Sequence, residues 1–316
     1  MQLQDILIDT YRYFSKCYKY GCSGGWLFRI WGVKQLWFRL FKALMNITSW
    51  ISNKVLPLYF KRTKCPCKGN DIDIIVSLTS FPARIEYVWL TVETLKRQSL
   101  KPQKILLYLS KEQFPELEKS LPENLKAEQD ELFQIVFVDD DLRSHKKYYY
   151  AFKDYPEMNV VTFDDDVFYE SHTLEELYNA HKRFKDCVIC GRACTIAPKR
   201  EYNSWPRTKE KYVPLNGILQ IGISGVLYPP HCYSSLIFDV QAIKECCPKA
   251  DDIWLNYMCR VKGSKIVMID GYVDNIPIQI RGDETLYSDN IDENFEQIKS
   301  ISIWGTSHGL SDYFDA

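Results

Sequence analysis

The chain has 316 residues, 46% hydrophobic and 26% charged, which is typical of a globular protein and sufficient for one large domain or two small ones. Its formal net charge of −1 gives no general attraction for polyanions, so we expect no nucleic-acid partner. The 11 cysteines and the absence of a basic-then-apolar leader favour a reducing cytoplasm over secretion. Cys65–Cys67 and Cys187–Cys194 resemble parts of a zinc site, but the usual second pair is missing, so we expect buried free thiols.

Residues 1–68 form a basic and aromatic segment. Up to Lys64 it contains 11 basic residues against two acidic ones, with tryptophan and phenylalanine interleaved. No apolar run in it is long enough to span a membrane. A basic helix with an aromatic face is typical of a segment that lies in a membrane interface, and this is the interpretation we favour. The alternative is a helical hairpin that packs its aromatic residues on the main domain.

Beyond a linker at 65–70, strands and helices alternate along the chain. Apolar runs predict strands at 72–78, 104–109, 133–138 and 158–163, and helical periodicity predicts helices at 84–98, 111–126 and 146–155. This order predicts an α/β fold with a mainly parallel sheet flanked by helices. Ligands of such sheets bind outside the carboxyl ends of the strands.

Polar clusters follow three of these strands, at 79–84, 139–143 and 164–166. The last cluster, Asp164, Asp165 and Asp166, lies directly after an apolar strand. Three bare carboxylates are costly to bury, so a cation is expected to neutralise them. Mg²⁺ and Mn²⁺ prefer carboxylate oxygens and bridge to phosphates. An ordinary acidic turn is the alternative.

The second half of the chain continues the α/β pattern. We predict a helix at 173–184, extended chain at 187–196, and a charged loop at 199–215. A glycine-containing turn and strand follow at 219–230, then helices at 240–247 and 251–260, and a strand at 265–269. The polar remainder is expected to contain a helix near 291–300.

The strand ending in Asp164–Asp166, the glycine-containing turn and the acidic pair Asp251 and Asp252 at a helix start resemble a GT-A-type glycosyltransferase. The resemblance is greatest to bacterial family-2-like enzymes of surface and capsular polysaccharide synthesis. It implies a GT-A, Rossmann-like catalytic domain at 69–275, followed by a C-terminal tail at 276–316. It also implies that Asp164 and Asp166 serve a Mn²⁺ or Mg²⁺ ion and the ribose, and that Asp252, beside Asp251, is the catalytic base. A helix N-terminus would lower the pKa of Asp252 unless burial offset this effect.

Other candidate residues rest on their chemistry. The residues expected near the nucleotide edge are Thr79, Arg84, Asp140, Arg143, Lys146 and Lys147, with the cations facing phosphates and Asp140 facing the base or ribose. Asp165 is placed toward the donor sugar. Gly222 and Gly225 would let the backbone approach a sugar, and are otherwise turn glycines. His308 is a further candidate metal ligand that we leave out, because a lone histidine is more often not one.

These features predict a metal-dependent, inverting glycosyltransferase. The expected donor is a nucleotide-sugar, with UDP-sugars favoured, and the expected acceptor is a surface glycan or a lipid-linked molecule. The basic N-terminus would hold it peripherally on the anionic inner face of the cell membrane. One alternative is a sugar nucleotidyltransferase of the same fold, although the 79–84 loop lacks the glycines that such an enzyme needs. The other is a non-catalytic glycan-binding module.

Overall fold

The computed structural model describes residues 2–22, 31–63, 65, 69, 72–198, 200–270, 274–280 and 286–314. Most of the predicted linker at 65–70 and the aromatic residues at 26–30 lie outside this range. The described residues form helices α1 (Leu3–Cys22), α2 (Trp31–Arg62), α3 (Val88–Lys96), α4 (Glu123–Lys126), α5 (Lys146–Asp154), α6 (Thr173–Arg183), α7 (Val240–Cys246), α8 (Asp251–Lys262) and α9 (Leu286–Ser307).

The strands in the described part of the chain are β1 (Ile74–Thr79), β2 (Lys104–Ser110), β3 (Phe133–Val138), β4 (Asn159–Thr162), β5 (Val167–Phe168), β6 (Val188–Cys190), β7 (Ala193–Thr195), β8 (Ile218–Gln220), β9 (Val226–Tyr228), β10 (Ile266–Met268) and β11 (Ile276–Pro277). Seven of them form the main sheet in the order β10-β6-β9-β4-β1-β2-β3. All neighbours in this sheet run parallel except at β9, which is antiparallel to β4 and β6. The predicted α/β fold with a mainly parallel, helix-flanked sheet is confirmed.

Two apolar layers cover the two faces of this sheet. In β1 the side chain of Ile75 belongs to one layer, whereas Ile74 and Val76 belong to the other. Successive side chains of a strand point to opposite faces, so a strand covered on both faces reads as one continuous apolar run. This is why the central strands were recognisable from the sequence.

Several predicted bounds differ from the observed ones. The helix predicted at 84–98 begins only at Val88, because residues 82–87 form turns after Pro82. The helix predicted at 111–126 is a 3-10 turn at Leu117–Ser120 followed by the four residues of α4, because Pro115 and Pro122 interrupt it. The C-terminal helix is longer than predicted and spans Leu286–Ser307.

The N-terminal segment is a pair of helices that pack against each other. Helix α1 also packs on the domain, where the carboxylate of Asp5 accepts hydrogen bonds from the backbone and hydroxyl of Ser171 at 2.9 and 2.8 Å. Among the described residues, no helix is long and apolar enough to cross a membrane.

The C-terminal segment completes the core instead of extending away from it. Phe314 is buried, and the Tyr257 hydroxyl of α8 donates to the carbonyl of Ser311 at 2.9 Å. Gly305 lies directly against the Tyr257 ring, since a Cβ there would be 1.8 Å from the hydroxyl oxygen. Helix α9 can dock here only because this residue lacks a side chain.

Candidate functional site

The site lies at the edge of the sheet where β1 and β4 end. Because these neighbouring strands run parallel, their carboxyl ends lie at the same edge. The chain then delivers Ser80 and Arg84 from the turn after β1, and Asp164–Asp166 from the turn after β4. Helix α5 adds Lys147 from its first turn, and helix α8 begins with Asp251 and Asp252.

Lys147 is the cation at the centre of this group. Its buried Nζ lies 2.9 Å from Oδ1 of Asp164 and 2.9 Å from Oδ2 of Asp251. Burial disfavours the charged lysine, but the carboxylates of Asp164, Asp251 and Asp252 outweigh it and hold the pKa of Lys147 well above its ordinary value. One ammonium group therefore joins Asp164, after β4, to Asp251, the first residue of α8.

The first turn of α5 is fixed against the residues that precede α8. The imidazole of His145 contacts the Cys247 carbonyl through Nε2 at 2.7 Å and the Tyr148 hydroxyl through Nδ1 at 2.9 Å. The hydroxyl of Ser144 donates to the carbonyl of Lys249 at 3.1 Å. Burial lowers the pKa of His145 to about 4, so the ring is a neutral structural link at ordinary pH. These contacts set the distance between Lys147 and Asp251.

Gly222 separates the carboxylate after β4 from the carboxylate of α8. Its N–H donates to Oδ2 of Asp252 at 2.9 Å. A Cβ at this position would lie 3.2 Å from Oδ1 of Asp252 and 3.3 Å from Oδ1 of Asp164. The backbone therefore approaches both acids closely, and a side chain here would have to push one of them aside.

Asp165 and Asp166 share a second cation. Nη1 of Arg84 lies 3.1 Å from Oδ1 of Asp165 and 2.8 Å from Oδ2 of Asp166, and the Ser80 hydroxyl donates to Oδ2 of Asp165 at 2.5 Å. Asp165 is buried, and its backbone carbonyl accepts a hydrogen bond from the Thr91 hydroxyl at 2.8 Å. Asp165 thus fastens the acidic turn to α3 and the β1 loop. The prediction that it faces a donor sugar does not fit this inward position.

The five carboxylates carry more negative charge than the two cations neutralise. Burial and the neighbouring Asp165 raise the pKa of Asp166 to about 7. Burial and the neighbouring Asp251 raise the pKa of Asp252 to about 7, against the opposing effect of Lys147. Burial likewise raises the pKa of Asp165, although Arg84 opposes it. At Asp252, burial therefore outweighs the effect of the helix N-terminus on the pKa, and the surplus negative charge of the site suits a further cation.

Several predicted site residues lie apart from this cluster. Asp140 and Arg143 are exposed in the loop after β3, which is the outermost strand and lies three places from β4. In the described part of the chain their side chains share no ion pair or hydrogen bond with the acids. Thr79 uses its hydroxyl to bind the carbonyl of Tyr108 at 2.7 Å, which joins β1 to β2. Lys146 pairs with Asp141 instead.

Gly225 has a packing role that the sequence did not reveal. Its φ is +79°, and a Cβ there would lie 2.5 Å from the ring of Phe163. Of the two glycines considered, Gly222 is the one beside the acids, and it should replace Gly225 in the candidate site. His308 follows α9, where its Nδ1 contacts the Trp304 carbonyl at 2.8 Å and its ring lies on the Trp304 ring. This position gives no support for a metal-binding role.

The described residues contain no group of three or more histidine, cysteine, aspartate or glutamate side chains arranged to hold a metal ion. Mg²⁺ in enzymes is commonly held by one or two carboxylates together with waters and substrate phosphates. Asp164 and Asp166, partly exposed beside the surplus negative charge, are compatible with that mode. With only these two carboxylates, the described residues do not form a closed metal site made of protein ligands alone.

No protein-family model and no curated protein sequence matches the chain. Solved structures with a similar arrangement include 4-diphosphocytidyl-2C-methyl-D-erythritol synthase from Anaerococcus prevotii, with 12% identity, a TM-score of 0.44, and coverage of 70% of this chain and 95% of that one. Another is S. aureus TarS 1-349 in complex with UDP, with 12% identity, a TM-score of 0.40, and coverage of 63% of this chain and 58% of that one.

A third is the mannosyltransferase PcManGT from Pyrobaculum calidifontis in complex with GDP-Man and Mn²⁺. It shares 12% identity at a TM-score of 0.40, with coverage of 82% of this chain and 74% of that one. At these values the comparisons assign neither a family nor an activity to this chain.

Proposed function

We propose that the chain is a metal-dependent glycosyltransferase that moves a sugar from a nucleotide-sugar donor, with UDP-sugars favoured, to a hydroxyl of a glycan or lipid-linked acceptor. The observation that supports this most is the convergence of Asp164 and Asp252 on the two sides of Gly222. One acid follows the strand at the nucleotide-binding edge of an α/β sheet, and the other begins a helix. Their proximity supports a role for both acids on one bound substrate.

The roles of the acids follow from their surroundings. Asp252 would accept the proton of the acceptor hydroxyl as that oxygen attacks the anomeric carbon, and a pKa near 7 suits a general base. Lys147 and the N–H of Gly222 hold the α8 acids in position for this step. Asp164 and Asp166 would hold Mn²⁺ or Mg²⁺. When bound, this cation neutralises negative charge on the leaving nucleoside diphosphate.

The proposal is tested by a panel of UDP-, GDP- and CDP-sugars with Mn²⁺, measured as thermal stabilisation and as release of nucleoside diphosphate. Asp252→Asn should keep donor stabilisation and lose at least 100-fold in transfer, because general base catalysis contributes about 10²–10⁴-fold. Asp166→Ala should lose the metal-dependent stabilisation. Asp139→Asn is the matched control, since Asp139 is exposed and, among the residues that the structure describes, forms an ion pair only with Lys111. Unchanged transfer by Asp252→Asn would contradict the assignment of the base.

The same assay separates the alternatives. A sugar nucleotidyltransferase would release inorganic pyrophosphate from a nucleoside triphosphate and a sugar phosphate, with no transfer from a nucleotide-sugar. A non-catalytic module would bind glycan without any need for Mn²⁺. The β1 loop at 79–84 contains no glycine, and its Arg84 is already paired with two carboxylates, which argues against a triphosphate-binding loop.

We also propose that helix α2 lies on the anionic inner face of the cell membrane. Its outer side has a stripe of exposed apolar residues at a spacing of four and seven, which keeps them on one side of a helix: Leu36, Leu40, Ile47, Ile51 and Leu58. Trp50, which is 56% exposed, flanks this stripe. The helix contains no acidic residue and ends in Lys61 and Arg62. An apolar stripe with basic neighbours favours an anionic lipid surface.

Flotation with lipid vesicles tests this proposal. Leu40→Glu and Trp50→Glu should each reduce binding to vesicles that contain anionic lipid, and neither site is part of the core. Tyr212→Glu, on an exposed loop, is the control. Equal binding of all three variants, or wild-type binding that is independent of anionic lipid, would overturn the proposal. A concentration-dependent dimer without vesicle binding would instead indicate that the stripe joins two copies of the chain.

A further inference from the structure

Two arginines lie together next to the acid cluster. Arg192 stands between β6 and β7, and Arg207 lies in the loop before β8. The pairing of β7 with β8 sets Ala193 opposite Gln220 and continues to Arg192, whose carbonyl accepts the N–H of Ile221 at 2.9 Å. An isolated antiparallel bridge sets Arg207 opposite Cys194. The two arginines therefore flank the same short strand.

Their side chains occupy one face of that strand. Residues directly opposite in an antiparallel pair share a face, and so do residues two apart along a strand, so Arg192, Cys194 and Arg207 lie on the same side. Diagonal neighbours of this kind are about 7–8 Å apart. In agreement, both guanidinium groups lower the pKa of the Cys194 thiol, although its burial raises that pKa overall. Two positive charges are thus held close together.

Neither guanidinium has a carboxylate partner among the residues that the structure describes. Nε of Arg192 is buried and makes no hydrogen bond there. Arg207 helps to lower the pKa of Asp274, but that carboxylate is already bound by Lys19 and Ser15 of α1 at 2.7 and 2.8 Å. Arg84, by contrast, is paired with two carboxylates. Two adjacent guanidinium groups that form no ion pair with the described carboxylates are suited to bind an anion.

This pair is tied to the proposed catalytic site at both ends. Ile221, which binds the Arg192 backbone, precedes Gly222, whose N–H binds Asp252. On the other side, the segment that begins at Asp274 continues to Ile278, whose N–H donates to the carbonyl of Asp166 at 2.8 Å. The arginines therefore lie on the same edge as the acids. They occupy one face of β7, whereas Gln220, which binds the backbone of α8, lies on the other face.

We propose that Arg192 and Arg207 form a phosphate-binding site beside the acid cluster. Planar guanidinium groups bind phosphate oxygens in pairs, and a second arginine at this distance can share the same group or bind the next one. The phosphate could belong to the diphosphate of the donor or to a phosphate-bearing acceptor. The choice between these two sources rests on the proposed glycosyl transfer. The binding of the anion itself does not rest on it.

The test uses the full chain with inorganic pyrophosphate in a buffer that contains EDTA. Under these conditions no divalent cation can bridge the anion to the aspartates. Calorimetric titration should show at least a tenfold weaker affinity for Arg192→Gln and for Arg207→Gln, and no measurable binding for the double variant. Arg192→Lys should retain part of the affinity. Arg200→Gln removes the same charge from the same loop, and should remain within twofold of the wild type.

Wild-type affinity for pyrophosphate in the double variant, with its melting temperature unchanged, would overturn the proposal. So would an equal loss in Arg200→Gln, since the effect would then be one of net charge. The source is identified by repeating the titration with UDP. A parallel loss of UDP binding assigns the site to the donor diphosphate, whereas loss of pyrophosphate binding alone assigns it to an acceptor phosphate. Absence of transfer by the wild type from every UDP-, GDP- and CDP-sugar would refute the glycosyltransferase and leave the anion site intact.

Discussion

The role of Lys147 as the central cation predicts a large loss of stability when its charge is removed. In Lys147→Met, the buried carboxylate of Asp251 and the partly exposed carboxylate of Asp164 stay in place but lose an ammonium that lies 2.9 Å from each. Lys147 is 7% exposed and Asp251 is 9% exposed, so water screens this pair very little. Removing one partner of a buried pair costs about 3–5 kcal/mol, because it leaves an uncompensated charge. We expect a loss of this size in the free energy of unfolding.

Urea denaturation of Lys147→Met and Lys111→Met measures this difference. Lys111 forms a comparable pair with Asp139, but the two side chains are 48% and 86% exposed, so its loss should cost less than about 1 kcal/mol. The double variant Lys147→Met/Asp251→Asn should recover about 1–2 kcal/mol relative to Lys147→Met, because it also removes one of the stranded charges. A loss below about 1 kcal/mol for Lys147→Met, equal to that of the surface control, would refute the reasoning.

The remaining predictions concern two glycines and one buried acid. Gly222→Ala places a methyl 3.2 Å from Asp252, so transfer should fall more than tenfold while the free energy of unfolding drops by about 1 kcal/mol. Gly225→Ala combines a φ of +79° with a steric clash, so its free energy of unfolding, measured by urea denaturation, should fall by about 2–4 kcal/mol. Equal losses of stability in the two glycine variants would contradict their assigned roles. Burial raises the pKa of Glu93 from 4.5 to about 7, so the folded state holds the extra proton and stability falls as the pH rises through this window. The free energy of unfolding of Glu93→Gln minus that of the wild type should therefore rise by on the order of 2 kcal/mol from pH 4.5 to 7. A difference that does not change with pH would exclude Glu93 as the source of the pH dependence.

The parallel core was predictable because burial on both faces leaves a direct mark on the sequence. The strands that became β1 to β4 are continuous apolar runs, and three of them, β1, β3 and β4, are followed by a polar cluster at the edge of the sheet. The three aspartates after β4 and the acidic pair at the start of α8 were visible for the same reason. Charged residues next to apolar runs indicate where the chain leaves the core.

The partners of these acids were not predictable, because they depend on strand order and on side-chain packing. Arg84 was expected to bind phosphate, but the turn after β1 aims it at Asp165 and Asp166. Asp140 follows a strand just as Asp164 does, yet β3 lies at the end of the sheet and β4 lies near its middle. A sequence gives the order of strands along the chain and does not give their order across the sheet.

The α/β fold and the acids at 164–166 and 251–252 were predictable without the structure, because both follow from the alternation of apolar and charged stretches along the chain. Three features depend on packing and were visible only in three dimensions: Asp164 and Asp252 flank Gly222, Lys147 joins Asp164 to Asp251, and Gly225 belongs to the core. Arg192 and Arg207 gave no signal in the sequence, because an unpaired guanidinium is recognised only by the absence of carboxylates around it in space.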